Sequence, residues 1–381
     1  MTKKIFSHIL TAIILFLTIF IPCNAAPEFT APLECRSAIL MEASTGMVLY
    51  EKNADEALPP ASVTKVMTLL LVMEAVDSGK IKLTDMVPVS ENAASMGGSQ
   101  VYLKVGEEMS VDEMIKCVVI SSANDCAVAL AEFLCGSEEA FVTQMNTRAK
   151  ELGMENTNFE NTNGLDDTVT NHKISARDIA IMSRELLKHE FILKYSSTWM
   201  DTIRNGAFGL TNTNRLIRFY AGANGLKTGS TSKAKFCISA TAKRDGMQLI
   251  AVIMAAPTRD IRNNEAKQLL DFGFANYGVY TAEAGTMDPI RVQGGVSDYC
   301  PLTFAEYSAV LEKGDMAKIT KRIELPESAR SPISKGDVLG SIIYECDGKE
   351  LGRVDILAAE NVDAIGFGEL LRRLLKGFCL S

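Results

Sequence analysis

The apolar residues of this chain change their spacing twice, and that succession of periods limits the folds open to it. Residues 37–41 and 47–51 are short apolar runs separated by Ser44, Thr45 and Gly46, the pattern of a β-hairpin. From Ala61 the spacing lengthens: Val63, Val66, Met67, Leu70, Leu71 and Met73 follow the helical period until Gly79 stops it. Further helices are predicted over 111–120, 126–135, 138–152 and 176–188. Sheet returns at 236–242 and 249–255, joined by Arg244, Asp245 and Gly246, before one more helix over 264–277. Strands at both ends with helices between predict one α/β (α+β) domain over 34–278, its sheet closed by segments far apart in the chain.

At 381 residues the chain has room for more than one domain. Beyond residue 281 the pattern breaks into short alternating stretches at 290–292, 309–311, 318–325 and 338–344, punctuated by Gly, Pro and Asp. They predict a small all-β domain over 282–361. The last segment, 362–381, places Phe367, Leu370, Leu371, Leu374, Leu375 and Phe378 on one face and Glu369, Arg372, Arg373 and Lys376 on the other. A basic amphipathic helix of this kind is expected to lie on a membrane surface. At the other end, Lys3 and Lys4 precede an apolar run over 9–21 and small residues at Cys23 and Ala25, the anatomy of a signal peptide over 1–25. The mature protein is therefore expected outside the cell's permeability barrier, peripherally held on the outer face of the cytoplasmic membrane.

The formal net charge of −8, with no clustered basic face in the body of the chain, argues against nucleic acid as a partner. Loss of Cys23 would leave eight of the nine cysteines. Cys117, Cys126, Cys135 and Cys237 sit in apolar periodic segments, where a free thiol behaves as a small core residue. There is no CxxC pattern, and only His172 and His189 would survive in the mature chain, so neither a metal nor another cofactor is expected.

Chemistry concentrates in three short motifs. Ser62-Val63-Thr64-Lys65 stands where the helical period begins, so the Lys65 amine can reach the Ser62 hydroxyl one turn away. A serine–lysine pair needs no histidine. The spacing alone is weak, since Ser230-Thr231-Ser232-Lys233 matches it too. Ser122-Ala123-Asn124 lies between two helical segments and can present a hydroxyl and an amide to a cleft. Lys227-Thr228-Gly229 opens a sheet-forming run, and a strand edge bearing Lys and Thr beside Gly suits an extended substrate and its carboxylate. In this order and on these elements the three together are specific.

On these motifs the chain resembles the low-molecular-mass penicillin-binding proteins of the D-alanyl-D-alanine carboxypeptidase family, peptidase S11. The likeness extends to Asn53-Ala54-Asp55, Pro60-Ala61-Ser62, Gly98-Ser99-Gln100, Asn163-Gly164-Leu165, Ser175-Ala176-Arg177-Asp178 and the run Leu269-Leu270-Asp271-Phe272-Gly273-Phe274. The resemblance implies a serine β-lactamase/transpeptidase-like domain with a sheet and a helical cluster. It casts Ser62 as nucleophile, Lys65 as its base, and Ser122 as the proton relay to the leaving D-alanine. Asn124 would orient Lys65 and the substrate amide. Lys227, Thr228 and Arg262 would receive the substrate carboxylate, with Arg215 a weaker candidate, and the N–H groups of Ser62 and Ser230, next to Gly229, would form the oxyanion hole. Peptidoglycan stem peptides are the implied substrate and β-lactams the implied covalent inhibitors. Two departures bear on deacylation and preference: Ser230 and Asn163 stand where some relatives carry histidine. The rival readings are a class A-like β-lactamase, which would need a Glu to activate water, and a non-catalytic wall-binding or β-lactam-sensing protein.

Overall fold

The computed structural model of the protein describes residues 27–379, and side chains through 375. The expected signal peptide lies outside the described residues, as do the side chains of Lys376 and Phe378. Of the described residues, 31–379 belong to one compact unit.

Its centre is a five-stranded antiparallel sheet made of β1 (Ser37–Glu42), β2 (Val48–Lys52), β3 (Ala223–Thr231), β4 (Lys235–Arg244) and β5 (Met247–Ala256), in spatial order β2-β1-β5-β4-β3. The N-terminal hairpin joins the late strands through β1 and β5, with Leu40 opposite Ala251 and Ile39 opposite Val252. All six residues of β1 are buried, which is why its sequence is an apolar run rather than an alternation. Alternate residues serve opposite faces. Ile39, Met41, Ile250, Val252 and Met254 belong to the core shared with the helical cluster. Leu40 and Leu249 face the other way, onto α6 (Arg259–Asn276), where a Cβ on Gly273 would fall 2.5 Å from Leu249 Cδ1. β3 is left at the sheet edge, with Lys227, Thr228 and Gly229 along it.

The helical cluster comprises α1 (Lys65–Asp77), α2 (Val111–Ile120), α3 (Asn124–Cys135), α4 (Glu138–Glu151) and α5 (Ala176–Leu187). α1 has ten buried residues among its thirteen, so it runs through the middle of the domain rather than along its surface. Three helix starts differ from expectation, the first being that of α3, which begins at Asn124, two residues early. The 3₁₀ turn Ala61–Thr64 precedes α1, so that Ser62 sits in a tighter turn than an α-helix would give. α6 begins at Arg259, five residues before the predicted start, because Thr258 caps it by accepting from Ile261 N while its first turn is polar and shows no apolar period.

After α6 the chain enters the all-β region directly, with β6 (Tyr277–Ala282) paired to β9 (Tyr307–Glu312). A six-stranded sheet follows, drawn from β7 (Gly285–Gln293), β8 (Tyr299–Phe304), β10 (Ile319–Glu324), β11 (Ser328–Arg330), β12 (Val338–Cys346) and β13 (Lys349–Ala358). Its core is Ile290, Val292, Cys300, Leu302, Ile342, Tyr344 and Ile356. The amphipathic helix is present as α7 (Phe367–Cys379). Seven cysteines are unpaired among the described residues, and six of the seven are buried, as core thiols are.

Leu270 is fully buried on α6 and remote from the motifs in sequence. Leu270→Ala is expected to cost about 2–5 kcal/mol of stability through the cavity it leaves. Thermal unfolding should show a lowered midpoint, while the folded variant keeps its Ser62 reactivity.

Candidate active site

The serine turn is held from behind. Ala61 adopts φ 49°, and Thr64 Oγ1 donates to the Ala61 carbonyl at 2.8 Å. The same Oγ1 lies 2.8 Å from His172 Nε2, and Glu160 N donates to Nδ1 at 3.0 Å. Since Nδ1 accepts, the ring hydrogen sits on Nε2 and points at Thr64. Burial pushes the His172 pKa down to about 4, so the ring is neutral in ordinary conditions. Gly164, at φ +84°, presses against this turn so closely that a Cβ there would lie 1.8 Å from the Ala61 carbonyl oxygen.

Lys65 is wholly buried, with Nζ 3.0 Å from Ser62 Oγ, 2.5 Å from Asn124 Oδ1 and 2.7 Å from the Asn163 carbonyl. Burial first, and then the positive charge of Lys227, push its pKa well below the ordinary lysine range, against a smaller opposing pull from Asp125. Asn124 is oriented by donating through Nδ2 to the Gly97 carbonyl at 2.7 Å, so its Oδ1 must face the amine. Two of the three contacts of Lys65 are thus obligate acceptors. A neutral amine gives them its two hydrogens and turns its lone pair toward the serine hydroxyl.

Ser62 opens onto a cleft of about 190 Å³ that Ser122, Thr228, Gly229, Ser230 and Arg262 also line. The three motifs therefore meet at one place. Ser122 holds a left-handed φ of 65°, and its buried Oγ has no hydrogen-bond partner among the described residues. A strained, unpaired hydroxyl beside the nucleophile is available to a ligand. The adjoining 97–103 loop is fixed by the Asp125 carboxylate, which accepts from the N–H groups of Val101 and Leu103, and by Asn124 N donating to the Ser99 carbonyl. β3 runs hard against the serine turn: a Cβ on Gly229 would lie 2.8 Å from both Ser62 N and the Pro60 carbonyl.

Behind this wall Lys227 is buried, its Nζ donating to the Thr228 carbonyl at 2.9 Å. Burial and the charge of Arg262 push its pKa down to about 7. Arg262 is itself buried, donating to Asn263 Oδ1 and to the Cys237 carbonyl. Arg215 does not line the cleft; it faces a neighbouring hollow with Asp260, Asn263 and Lys267. A larger hollow of about 650 Å³ beside Tyr102 and Phe208 contains no motif residue. Sequence reasoning did not single out Thr213 and Arg259, both of which line the cleft, and named Ser99 only as part of the resemblance. Thr228 Oγ1 donates to Thr213 Oγ1 at 2.8 Å, a contact that no local pattern announces.

A family model for D-alanyl-D-alanine carboxypeptidases matches residues 24–258, and one for the C-terminal domain of penicillin-binding protein 5 matches 282–364. The chain is 46% identical over 349 residues to D-alanyl-D-alanine carboxypeptidase DacF of Bacillus subtilis, covering 90% of this chain and 89% of that one. Penicillin-binding protein 5 from Haemophilus influenzae superimposes with a TM-score of 0.75 at 32% identity, covering 88% of this chain and 100% of that one. Penicillin-binding protein D2 from Listeria monocytogenes, solved in its ampicillin-bound form, gives a TM-score of 0.60 at 31% identity, covering 65% of this chain and 100% of that one.

Gly229→Val would drive a side chain into the Ser62 and Pro60 backbone. The expected outcome is at least about a hundredfold slower acylation of Ser62, from displacement of the nucleophile by an ångström or so. Stopped-flow labelling with a chromogenic acylating agent measures it.

Proposed function

Because the chain belongs to the D-alanyl-D-alanine carboxypeptidase family, peptidase S11, and is a serine carboxypeptidase of that kind, we propose how its own residues carry the reaction. Ser62 is the nucleophile and attacks the carbonyl of the penultimate D-alanine of a peptidoglycan stem peptide. Neutral Lys65 takes its proton as the bond forms. The N–H groups of Ser62 and Ser230 receive the developing oxyanion. Ser122 passes a proton to the departing D-alanine, while Lys227, Thr228 and Arg262 hold the terminal carboxylate. Water then releases the shortened peptide.

The arrangement of Lys65 is the observation that supports this reading most directly. Its Nζ lies 2.5 Å from Asn124 Oδ1 and 2.7 Å from the Asn163 carbonyl, both acceptors, and 3.0 Å from Ser62 Oγ, so that a neutral amine has its lone pair left for the hydroxyl. β-Lactams are proposed as covalent inhibitors at the same serine, in keeping with the ampicillin-bound form of the Listeria protein. No Asp or Glu is among the residues lining the cleft, so nothing there resembles the water-activating carboxylate of a class A β-lactamase. The expected result is release of D-alanine from a pentapeptide ending in D-Ala-D-Ala, abolished by Ser62→Ala. Penicillin labelling without D-alanine release would overturn the reading.

The site also carries an expected pH profile. Acylation needs Lys65 neutral, so kcat rises with pH through its depressed pKa. Carboxylate binding needs Lys227 charged, and in the empty cleft that charge is lost as pH rises through about 7. Above that value KM should climb. A flat KM from pH ~6 to ~9 would remove Lys227 from carboxylate binding.

The peptidase domain is assigned to 34–278, the β-rich domain to 282–361 and the amphipathic segment to 362–381. No described helix is long and apolar enough to cross a membrane. In α7, Phe367, Leu370, Leu371, Leu374 and Leu375 are exposed, Phe367 at 82%. Arg373 ties the polar face to Asp298 and to the Val296 carbonyl. A helix fastened by its charged side with its apolar side bare fits peripheral attachment to the outer face of the cytoplasmic membrane. Truncation after Asn361 should abolish co-sedimentation with anionic lipid vesicles and leave hydrolysis of a soluble peptide unchanged. Equal sedimentation of both forms would sink the attachment.

A further inference from the structure

We propose that Arg259, at the rim of the cleft, is a second guanidinium that binds the terminal carboxylate of the substrate and so helps to determine specificity for a free C-terminus. This inference rests on the carboxypeptidase assignment of the same cleft and adds a residue to it. Three observations lead there. First, Arg259 lines the cleft together with Ser62, Ser122, Thr228 and Arg262. Its charge is close enough to rank directly after burial among the causes that push the Arg262 pKa down to about 10. The two guanidiniums are therefore neighbours at one end of the pocket.

Second, the two differ in what they are free to do. Arg262 is buried, and its guanidinium nitrogens already donate to Asn263 Oδ1 and the Cys237 carbonyl. Lys227 is likewise spent on the Thr228 carbonyl. Arg259 is exposed, and among the described residues its side chain enters no hydrogen bond or ion pair. Of the three cations it is the one whose five donors remain to be used.

Third, the cleft is uncompensated. Its lining includes two arginines and no carboxylate, with Lys227 directly behind. Like charges this near one another raise each other's free energy, and an entering anion relieves all of them. A carboxylate suits a guanidinium that can approach in the plane of its two oxygens. Held by buried Lys227 and Arg262 from below, the substrate carboxylate is closed from above by Arg259. The exposed arm also extends the reach of the field into solvent, where it draws in an anionic terminus.

The experiment compares wild type, Arg259→Ala and Arg259→Lys on a pentapeptide ending in D-Ala-D-Ala and on the same peptide with its C-terminus amidated. For the free acid, Arg259→Ala should lower kcat/KM by about tenfold, mostly through KM, as loss of one charge-assisted hydrogen bond at a solvated rim predicts. For the amide it should change little, so the preference of acid over amide shrinks by the same factor. Arg259→Lys should recover part of the loss, and the wild-type KM for the acid should rise with salt more steeply than that of the variant. Equal losses on acid and amide, or no loss on either, would overturn the proposal. Failure of the wild type to release D-alanine at all would instead strike the carboxypeptidase reading. Because Arg259 is exposed, an unchanged thermal midpoint checks that the variants are folded.

Discussion

The chemistry of this protein depends on where two hydrogens of one amine can go. Lys65 is buried beside a serine and cannot be satisfied by water, so each N–H needs a protein acceptor. Asn124 Oδ1 and the Asn163 carbonyl are both acceptors, and neither can donate in the orientation it holds. An ammonium would have to spend its third hydrogen on Ser62 Oγ, which disarms the nucleophile. Burial and Lys227 disfavour that state. The neutral amine has the opposite consequence, because its lone pair is left facing the hydroxyl. Acid–base competence is thus a matter of counting donors and acceptors in a dry place.

That count holds only if the three contributing segments stay registered, and much of the surrounding structure does this. Asn163 is placed by the turn that Gly164 closes against Ala61, a contact too tight for any side chain. Thr64 and neutral His172 tie the serine turn to the segment around Glu160. Asp125, immediately after Asn124, anchors the 97–103 loop through backbone N–H groups. Gly229 lets the edge strand lie against the other side of the turn. Each support is a close backbone approach or a saturated polar group, the kinds of contact that tolerate little displacement.

How much of this could be read beforehand follows from whether the signal was local. The period changes at Ala61 and near Phe236 were legible because they are short-range, and the closing of the sheet followed from strands standing at both ends of the domain with helices between them. Ser62, Lys65, Ser122 and Lys227 were legible as spaced motifs. Arg262 was reached only through the family resemblance, because nothing in its neighbourhood marks it. Thr213 and Arg259 stayed hidden for a common reason: each is an unremarkable polar residue whose position depends on tertiary packing. The polar first turn of α6 concealed the start of the helix that carries Arg259, and with it the arginine's place beside the cleft.

The cationic end of the cleft explains why the protein tolerates buried charge where most folds exclude it. Lys227 and Arg262 are costly to bury, and their depressed pKa values record that cost. No carboxylate from the chain relieves it. An internal partner would have stabilised the fold and filled the place where substrate must bind. Leaving the charges unneutralised stores the missing interaction for the ligand, so that binding a C-terminal carboxylate restores what folding gave up. The same logic couples the two halves of the site. While Lys227 remains positive it helps keep Lys65 neutral, as burial does.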